Sequence, residues 1–533
     1  MTLNSLSVLE KNTQKYSIEN IVMESKYLII SFKFSLVRFN TSTSEDVMTF
    51  NLTDPEYSSS NQLYGQDYES IKQKAIQTGT LFQDERFPPN KYSLSYTGQF
   101  DGVDIDHLGI QWLRATELFK NAAFIKNGSS KNDVNQGQLG DCWFLCSLAV
   151  MAEREELFKK VVPEGQGVSK DYCGAFLFRF WRWGNWIDVV VDDLIPVYDG
   201  RPLFTYSDDQ GEMWPLLLEK AFAKLHGSYF HLCGGFSVAS LENLTGGVTE
   251  RYVGYWGPLY PLEDENKKMN SFLFDKISTT LQTEGLVTAS TFVMDKMNMG
   301  IFGGHAYSVT GVCSLPEVDL IKIRNPWGIQ FEWVGSWSDN SDEMKQIDKK
   351  FKNQLKTEEG EWWMEFKDFL QCYTLVEFCH ILKNQWKTGD FVFHNGTWTP
   401  GSSNQYYLMT IDRKDDVFIS LEQKFARELR DELRTEATDA PISLEIFNLG
   451  KKSLKKNKSG ETTLDLDKLK SVKQVHFGNN ADFKELSSVT FYGSLKKGAY
   501  LVKVSAYTET RNVDFFLRFG SRNGTHDVST NFD

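Results

Sequence analysis

The run QGQLGDCWFLCSLAVMAEREELF, Gln136 to Phe158, constrains the chain more than any other stretch. Gly137 and Gly140 permit a tight turn, and from Cys142 the apolar residues recur at helical spacing, so the turn must feed directly into a helix. Asp141 precedes the first turn and stands where a cap would. Cys142 then opens the helix, where the positive end of the dipole favours a thiolate. The Gln136 side-chain amide, upstream of the turn, is placed to fold back and donate to a developing oxyanion together with the Cys142 backbone N–H. A cysteine at a helix start is also a common packing residue, so the chemical reading depends on what else the chain supplies.

A thiol nucleophile needs an imidazole to exchange protons with it and a third group to orient that imidazole. His305 lies in GGHAYSVTG, where Gly303 and Gly304 allow a backbone to approach closely and the strand after them holds the ring. Asn325 lies in RNPWG, where Pro326 stops a strand and Trp327 is placed to cover a polar pair from water. Taken singly, these are equally a hydrogen-bonded core histidine and a turn asparagine. HAYSVTGV from His305 and LIKIRNPWG from Leu320 read as neighbouring antiparallel strands joined by the loop SLPEVD. His305 follows Cys142 by 163 residues and precedes Asn325 by 20, which suits a nucleophile helix in one lobe facing a base and its orienter on two strands of another.

The 533 residues allow three or four domains at about 150 residues each. Residues 1–78 form a separate stretch ending in the linker-like SSSNQLYGQDYES; its apolar run from Tyr27 to Phe39 carries Lys33 and Arg38, is shorter than the roughly 20 residues of a membrane span, and reads as a strand pair. No signal-peptide order is present at the start. From Leu81 to Leu382 the sequence is Trp-rich and Gly-punctuated, an α/β-type body. Beyond it, apart from a charged run at Lys424, short alternating strands near Tyr406, Asp416, Ala499 and Val513 indicate packed sheets. Seven cysteines without regular spacing point to a reducing, cytoplasmic setting. A net charge of −13 argues against a general nucleic-acid partner; the acidic surplus suits cation binding or simply a solvated surface. Neither an internal repeat nor an EF-hand loop is found.

QGQLGDCWF, GHAYSVTG and RNPWG closely resemble the three catalytic blocks of the calpain family, in order and spacing. WIDVVVDDLIPVYDG, EMWPLLLEKAFAKLHGSY, LTGGVTE and LFQDERFPP are similar to other parts of its core, and WKTGDFVFHNGTWTPGSS and GAYLVKVSAYTETRNVDFFLRFGS resemble the first and last strands of the sandwich that follows it. The resemblance implies an α+β fold: residues 79–237 and 238–383 as the two lobes of a papain-like protease core, and 384–533 as an antiparallel calpain-type β-sandwich. It implies a calcium-dependent intracellular cysteine endopeptidase performing limited proteolysis through an acyl-enzyme thioester. Cys142, His305 and Asn325 map onto the triad, Gln136 onto the oxyanion donor, and Gly235 and Gly304 onto backbone that aligns an extended segment of a protein substrate. Trp327 matches a tryptophan that wedges between the lobes without calcium.

Two calcium sites are implied as well. The loop FIKNGSSKND supplies the Lys126 and Gly128 carbonyls and the Asp133 carboxylate, joined by Glu212; Lys126 replaces an apolar family residue but contributes only its carbonyl. The second site takes Glu332 and Asp339, then Glu359 with the carbonyls of Thr357 and Glu361. Here NPWGIQFEW is one residue longer than the family spacing and Glu359 replaces an aspartate. Calcium would act by remodelling the lobes rather than by touching substrate. The basic run Lys451–Lys458 suits either an anionic membrane surface or a charged loop. No EF-hand domain follows the sandwich, so no EF-hand small subunit is expected. A silent calcium-responsive scaffold, a transglutaminase and a deubiquitinase are the rival readings; an intact triad opposes the first, and the QGQLGDCWF and RNPWG blocks oppose the others.

Overall fold

A computed structural model of the chain describes residues 61–529, except 101, 169–170, 254–262, 292–298, 329–330, 383–391, 402–403, 424–439, 450–453, 457–461, 465–473, 477–483, 486–487, 507–511 and 525. The strand pair expected at Tyr27–Phe39, the charged run after Lys424 and most of the Lys451–Lys458 run lie outside the described residues.

The first lobe is built from α1 (Cys142–Ala152), the hairpin β1 (Ala175–Arg182) and β2 (Asn185–Asp192), and α2 (Trp214–Leu225); α3 (Ser237–Thr245), which runs past the boundary expected after residue 237, packs Leu241 and Leu244 into the same core. Helix α1 runs through the interior, buried at every residue from Trp143 to Ala152, because its sequence is apolar on all sides. The Phe144 ring stacks on Phe222 of α2 at 4.1 Å, and the Trp143 indole N–H donates to the Leu232 carbonyl at 2.8 Å. The turn entering α1 approaches backbone so closely that a Cβ at Gly137 would lie 2.1 Å from the Phe204 carbonyl oxygen, so glycine is required there for space.

The second lobe is one antiparallel sheet of six strands: β3 (Val248–Val253), β4 (Leu286–Ser290), β5 (Ala306–Leu315), β6 (Val318–Arg324), β7 (Glu361–Glu365) and β8 (Leu375–His380). The spatial order is β7-β6-β5-β4-β8-β3, with β5 and β6 side by side as expected from the sequence. The loop between them is tighter than SLPEVD suggested. Ser314 pairs with Asp319 and Leu315 with Val318, leaving Pro316 and Glu317 as the turn. Proline sets the backbone for a turn at that position, and the flanking residues extend the ladder.

The sandwich comprises β9 (Val392–Trp398), β10 (Asn404–Ile411), β11 (Asp415–Gln423), β12 (Pro441–Leu449), β13 (Ser488–Leu495), β14 (Gly498–Ala506), β15 (Val513–Ser521) and β16 (His526–Ser529). One sheet runs β9-β15-β11-β13 and the other runs β12-β14-β10-β16, with short strands at Gln474–His476 and Lys484–Glu485 beside β12. Alternation places Val513, Phe515, Leu517 and Phe519 of β15 between the sheets, facing Val502 and Val504 of β14.

The opposite parity of β15 sends Arg518 toward the protease core. Its guanidinium pairs with Glu242 of α3 at 2.8 Å and Glu422 of β11 at 2.7 Å, and donates to the Gly246 and Gly247 carbonyls at 3.2 and 3.1 Å. Nearby, His380 of β8 stacks on Tyr492 of β13 at 3.8 Å. Arg518→Ala leaves two buried carboxylates without their cation. It is expected to cost about 3–5 kcal/mol, read as a lower urea midpoint for the unfolding phase that separates sandwich from core; a loss below about 1 kcal/mol would show that the junction does not depend on this ion pair.

Candidate active site

His305 immediately precedes β5, and its backbone is clamped to the end of β4: the Thr291 N–H donates to the His305 carbonyl at 3.0 Å, and the His305 N–H donates to Thr291 Oγ1 at 3.2 Å. Gly304 turns the chain into this position with φ of 65°. Asn325, one residue past β6 and fully buried, lies 2.9 Å from His305 Nε2 through its Oδ1. The Asn325 amide nitrogen donates to the Phe331 carbonyl at 3.2 Å, and Oδ1 also accepts the Trp327 N–H at 3.1 Å. With its nitrogen so engaged, Asn325 offers an acceptor to the imidazole. The network therefore assigns the ring proton to Nε2 and leaves Nδ1 as the basic nitrogen.

The same hairpin brings Cys142 alongside. The Ala306 N–H, next to His305, faces the Cys142 sulfur, as do the N–H groups of Trp143 and of Cys142 itself. Ser308 Oγ donates to the Cys146 carbonyl at 2.8 Å, tying β5 to α1. The lobes also meet through the Gln136 N–H on the Pro326 carbonyl at 2.9 Å and the Arg324 guanidinium on the Val134 carbonyl at 3.0 Å.

Cys142 retains part of its surface to solvent, whereas His305 is buried. The sulfur's surroundings are nevertheless dense: burial pushes the thiol up to about 12, against the opposing effect of the three N–H groups. Burial likewise depresses His305 to about 4, although the Asn325 bond favours its charged form. In this arrangement the pair is a neutral thiol and a neutral imidazole. The dipole at the start of α1 is outweighed by desolvation.

Trp327 stacks on the His305 ring at 4.0 Å, and its indole N–H donates to Gln136 Oε1 at 2.7 Å. The Gln136 amide nitrogen is given to the Leu139 carbonyl at 2.6 Å. Gly235 and Gly304 both lie exposed, Gly235 just after the contact of the Gly234 N–H with the Gly140 carbonyl at 2.8 Å. Asp141, expected to cap α1, makes no capping bond; its side chain is fully buried and turned toward Glu219.

The residues implied as calcium ligands fall into two loops. In the first, Glu212 accepts the Lys126 N–H at 2.8 Å and Ser207 Oγ–H at 3.0 Å, and Asp133 accepts the Ser130 N–H at 2.7 Å. Asn127 and Gly128 turn the loop with φ of 55° and 94°, while the Lys126 ammonium reaches away to Asp209 at 3.0 Å. Burial raises Asp133 to about 6 and Glu212 to about 7, and the proximity of Asp133 adds to the Glu212 shift. In the second loop Asp339 accepts Thr357 Oγ1–H at 3.2 Å and Glu332 accepts the Gly360 N–H at 3.1 Å. Glu332 is raised by burial and then by Asp339 and Glu359, beside a cavity of about 600 Å³ also lined by Asp342 and Glu343. The Glu361 carboxylate is committed to Lys322 and Lys131, so its carbonyl is the group available to a cation. Among the described residues no three His, Cys, Asp or Glu side chains gather as metal ligands. Buried and half-buried carboxylates that repel one another nonetheless suit a hard cation completed by carbonyls.

Lys131 does not stand out in the sequence, yet it bridges the lobes: its ammonium lies 3.1 Å from Glu358, 3.4 Å from Glu361 and 3.6 Å from Glu153, while the Asn132 amide donates to Glu358 at 2.8 Å. The sequence carries no signal for this role, because Glu358 and Glu361 come from the other lobe. Thr291 carries none either, because its role appears once β4 is paired with β5.

A helix opening on Cys142 in one lobe faces a hydrogen-bonded His305–Asn325 pair at the sheet of the other, an arrangement that suits a two-lobed cysteine peptidase. A family model for calpain family cysteine proteases matches residues 82–380, and one for domain III of the calpain large subunit matches residues 386–519. The chain is 34% identical to the calpain-1 catalytic subunit of Homo sapiens over 509 residues, covering 87% of this chain and 68% of that one. It is 34% identical to calpain-8 of Rattus norvegicus over 488 residues, covering 85% and 67%. The chain belongs to the calpain family and is a cysteine peptidase acting on protein substrates.

With calcium chelated, alkylation of Cys142 by iodoacetamide should rise about tenfold per pH unit between about pH 6 and 9, following the small thiolate fraction of a raised thiol. Mass spectrometry of the Cys142 peptide measures it. A plateau of fast alkylation below about pH 7 would mean that a thiolate–imidazolium pair already exists.

Proposed function

We propose that this chain is a calcium-activated, cytoplasmic endopeptidase whose nucleophile is Cys142. The observation that carries the reading is the junction at His305: its ring is held by Asn325 at 2.9 Å while the next backbone N–H faces the Cys142 sulfur. In the productive state Cys142 gives its proton to His305 Nδ1, and the thiolate attacks the carbonyl carbon of a peptide bound in extended form along Gly235 and Gly304. The tetrahedral oxyanion accepts from the Cys142 N–H and from the Gln136 side-chain amide. The C–N bond then breaks as His305 delivers its proton to the leaving amine, and Cys142 is left as a thioester. His305 next removes a proton from water, which attacks the thioester carbon; the carboxylate product leaves, and the proton returns to sulfur.

Two features mark the present arrangement as the resting one. The Gln136 amide nitrogen is held by Leu139 and its oxygen by Trp327, so it is not offered to an oxyanion. The Cys–His pair is neutral. Release requires the loops beside Gln136 and Trp327 to shift. Those loops carry the proposed ligands: the Lys126 and Gly128 carbonyls with Asp133 and Glu212, and Glu332, Asp339 and Glu359 with the Thr357 and Glu361 carbonyls. Bound calcium would supply the positive charge that these carboxylates lack.

Casein digestion by the full chain should require free calcium and vanish in Cys142→Ala with the fold retained. Gln136→Ala should lower kcat by about two to three orders of magnitude. Undiminished cleavage in a chelator would remove the calcium switch, and turnover by Cys142→Ala would remove Cys142 as nucleophile.

A further inference from the structure

Asp141 occupies the N-cap position of α1 without capping it. Its carboxyl is fully buried; its own backbone N–H lies nearby, but among the described residues no donor makes a well-formed hydrogen bond to either oxygen. What faces it is the carboxyl of Glu219 from α2, itself buried. Glu219 is well supplied with donors: the Thr205 hydroxyl at 2.6 Å and the Thr205 N–H at 3.2 Å. Two carboxyl groups in contact in a dry interior cannot both be ionised, so one holds a proton and donates it to the other. The distribution of donors decides which. Glu219 already accepts from the Thr205 hydroxyl and N–H, whereas Asp141 has only its own backbone N–H beside it, so the proton belongs on Asp141.

The consequence falls on Cys142. A capping aspartate would take the N–H of Trp143 or Phe144, and the Trp143 N–H is one of those facing the sulfur. We propose that Asp141 and Glu219 form a proton-sharing positioning pair beneath the nucleophile, with the proton on Asp141, which anchors the first turn of α1 to α2 while leaving its N–H groups to the sulfur and the oxyanion. The pair also holds its negative charge on Glu219, one side chain further from the thiol than Asp141. Other titratable groups around it are the Tyr229 hydroxyl and the Lys220–Asp192 pair. The Lys220 ammonium is engaged by Asp192 and the Leu194 carbonyl. The inference rests on Cys142 being the nucleophile.

The test separates the two carboxyls. In Glu219→Gln the amide oxygen accepts from Thr205 and the amide nitrogen must donate toward Asp141, which therefore ionises beside the thiol; alkylation of Cys142 by iodoacetamide at about pH 8 should slow about tenfold, one pKa unit of added like-charge repulsion. Asp141→Asn keeps a donor toward Glu219 and should not slow it. Equal slowing in both variants, slowing in Asp141→Asn alone, or no change in either overturns the pair. Should Glu219→Gln fail to fold, the infrared difference spectrum of wild type minus Asp141→Asn decides: it should contain the C=O band of a protonated, deuterium-sensitive carboxylic acid, and its absence defeats the proposal. Neither measurement uses peptide cleavage. A chain that passes both yet cleaves nothing would refute the proposed function and leave the pair standing.

Discussion

Partial burial of Cys142 and full burial of His305 where α1 meets β5 take water away from the thiol and imidazole that the proposed mechanism pairs. The helix start and the N–H groups of Ala306, Trp143 and Cys142 all favour a thiolate, but they act against desolvation. A helix N-terminus contributes about 1 kcal/mol. Raising the thiol from 9 to about 12 corresponds to about 4 kcal/mol, so desolvation decides the resting state. The corollary concerns the loops. A modest opening that readmits water, or a substrate that brings its own dipoles, relieves desolvation itself, whereas a stronger helix dipole would oppose it with only a fraction of the energy required.

The polar groups at the lobe junction determine how such an opening is restrained. Gln136, Asn325 and Trp327 form a closed circuit: Gln136 N–H on Pro326, the Trp327 indole on Gln136 Oε1, and the Trp327 N–H on Asn325 Oδ1. Each link is an ordinary hydrogen bond worth about 1 kcal/mol net. The circuit is therefore strong enough to hold one arrangement and weak enough to be exchanged for another. The His305–Asn325 bond is internal to the second lobe and need not break when the lobes shift, so the imidazole keeps its tautomer while its distance from sulfur changes.

Much of this is legible in the sequence. The glycine turn, the helix from Cys142, the two strands carrying His305 and Asn325 and the later sandwich strands all follow from residue spacing, because burial imposes period 3.6 or period 2 directly on the residue types. The Pro316–Glu317 turn is blurred, since polar residues such as Ser314 and Asp319 extend a strand at the surface as readily as they form a loop. Asp141 misleads for a deeper reason. Capping propensity is local, and the competitor for its side chain, Glu219, comes from α2, which meets it only after folding. The cross-lobe role of Lys131 is hidden in the same way: its partners Glu358 and Glu361 lie far along the chain, in the other lobe.

Lys131 links the two acidic loops into one electrostatic unit. It follows Gly128 in the loop of Asp133 and contacts Glu358 and Glu361, which flank Gly360, whose N–H in turn donates to Glu332. Positive charge delivered to either loop therefore acts on a network that already spans both lobes. Asp133 and Glu212 sit on one side of it, Glu332 and Asp339 on the other, and Gln136 lies three residues beyond Asp133. A rearrangement of the first loop is carried along the backbone to Gln136, the proposed oxyanion donor. One in the second loop is carried through Phe331 to Asn325. In the proposed switch, charge at either loop therefore has a short path to the site, along the backbone to Gln136 and through the Phe331 hydrogen bond to Asn325.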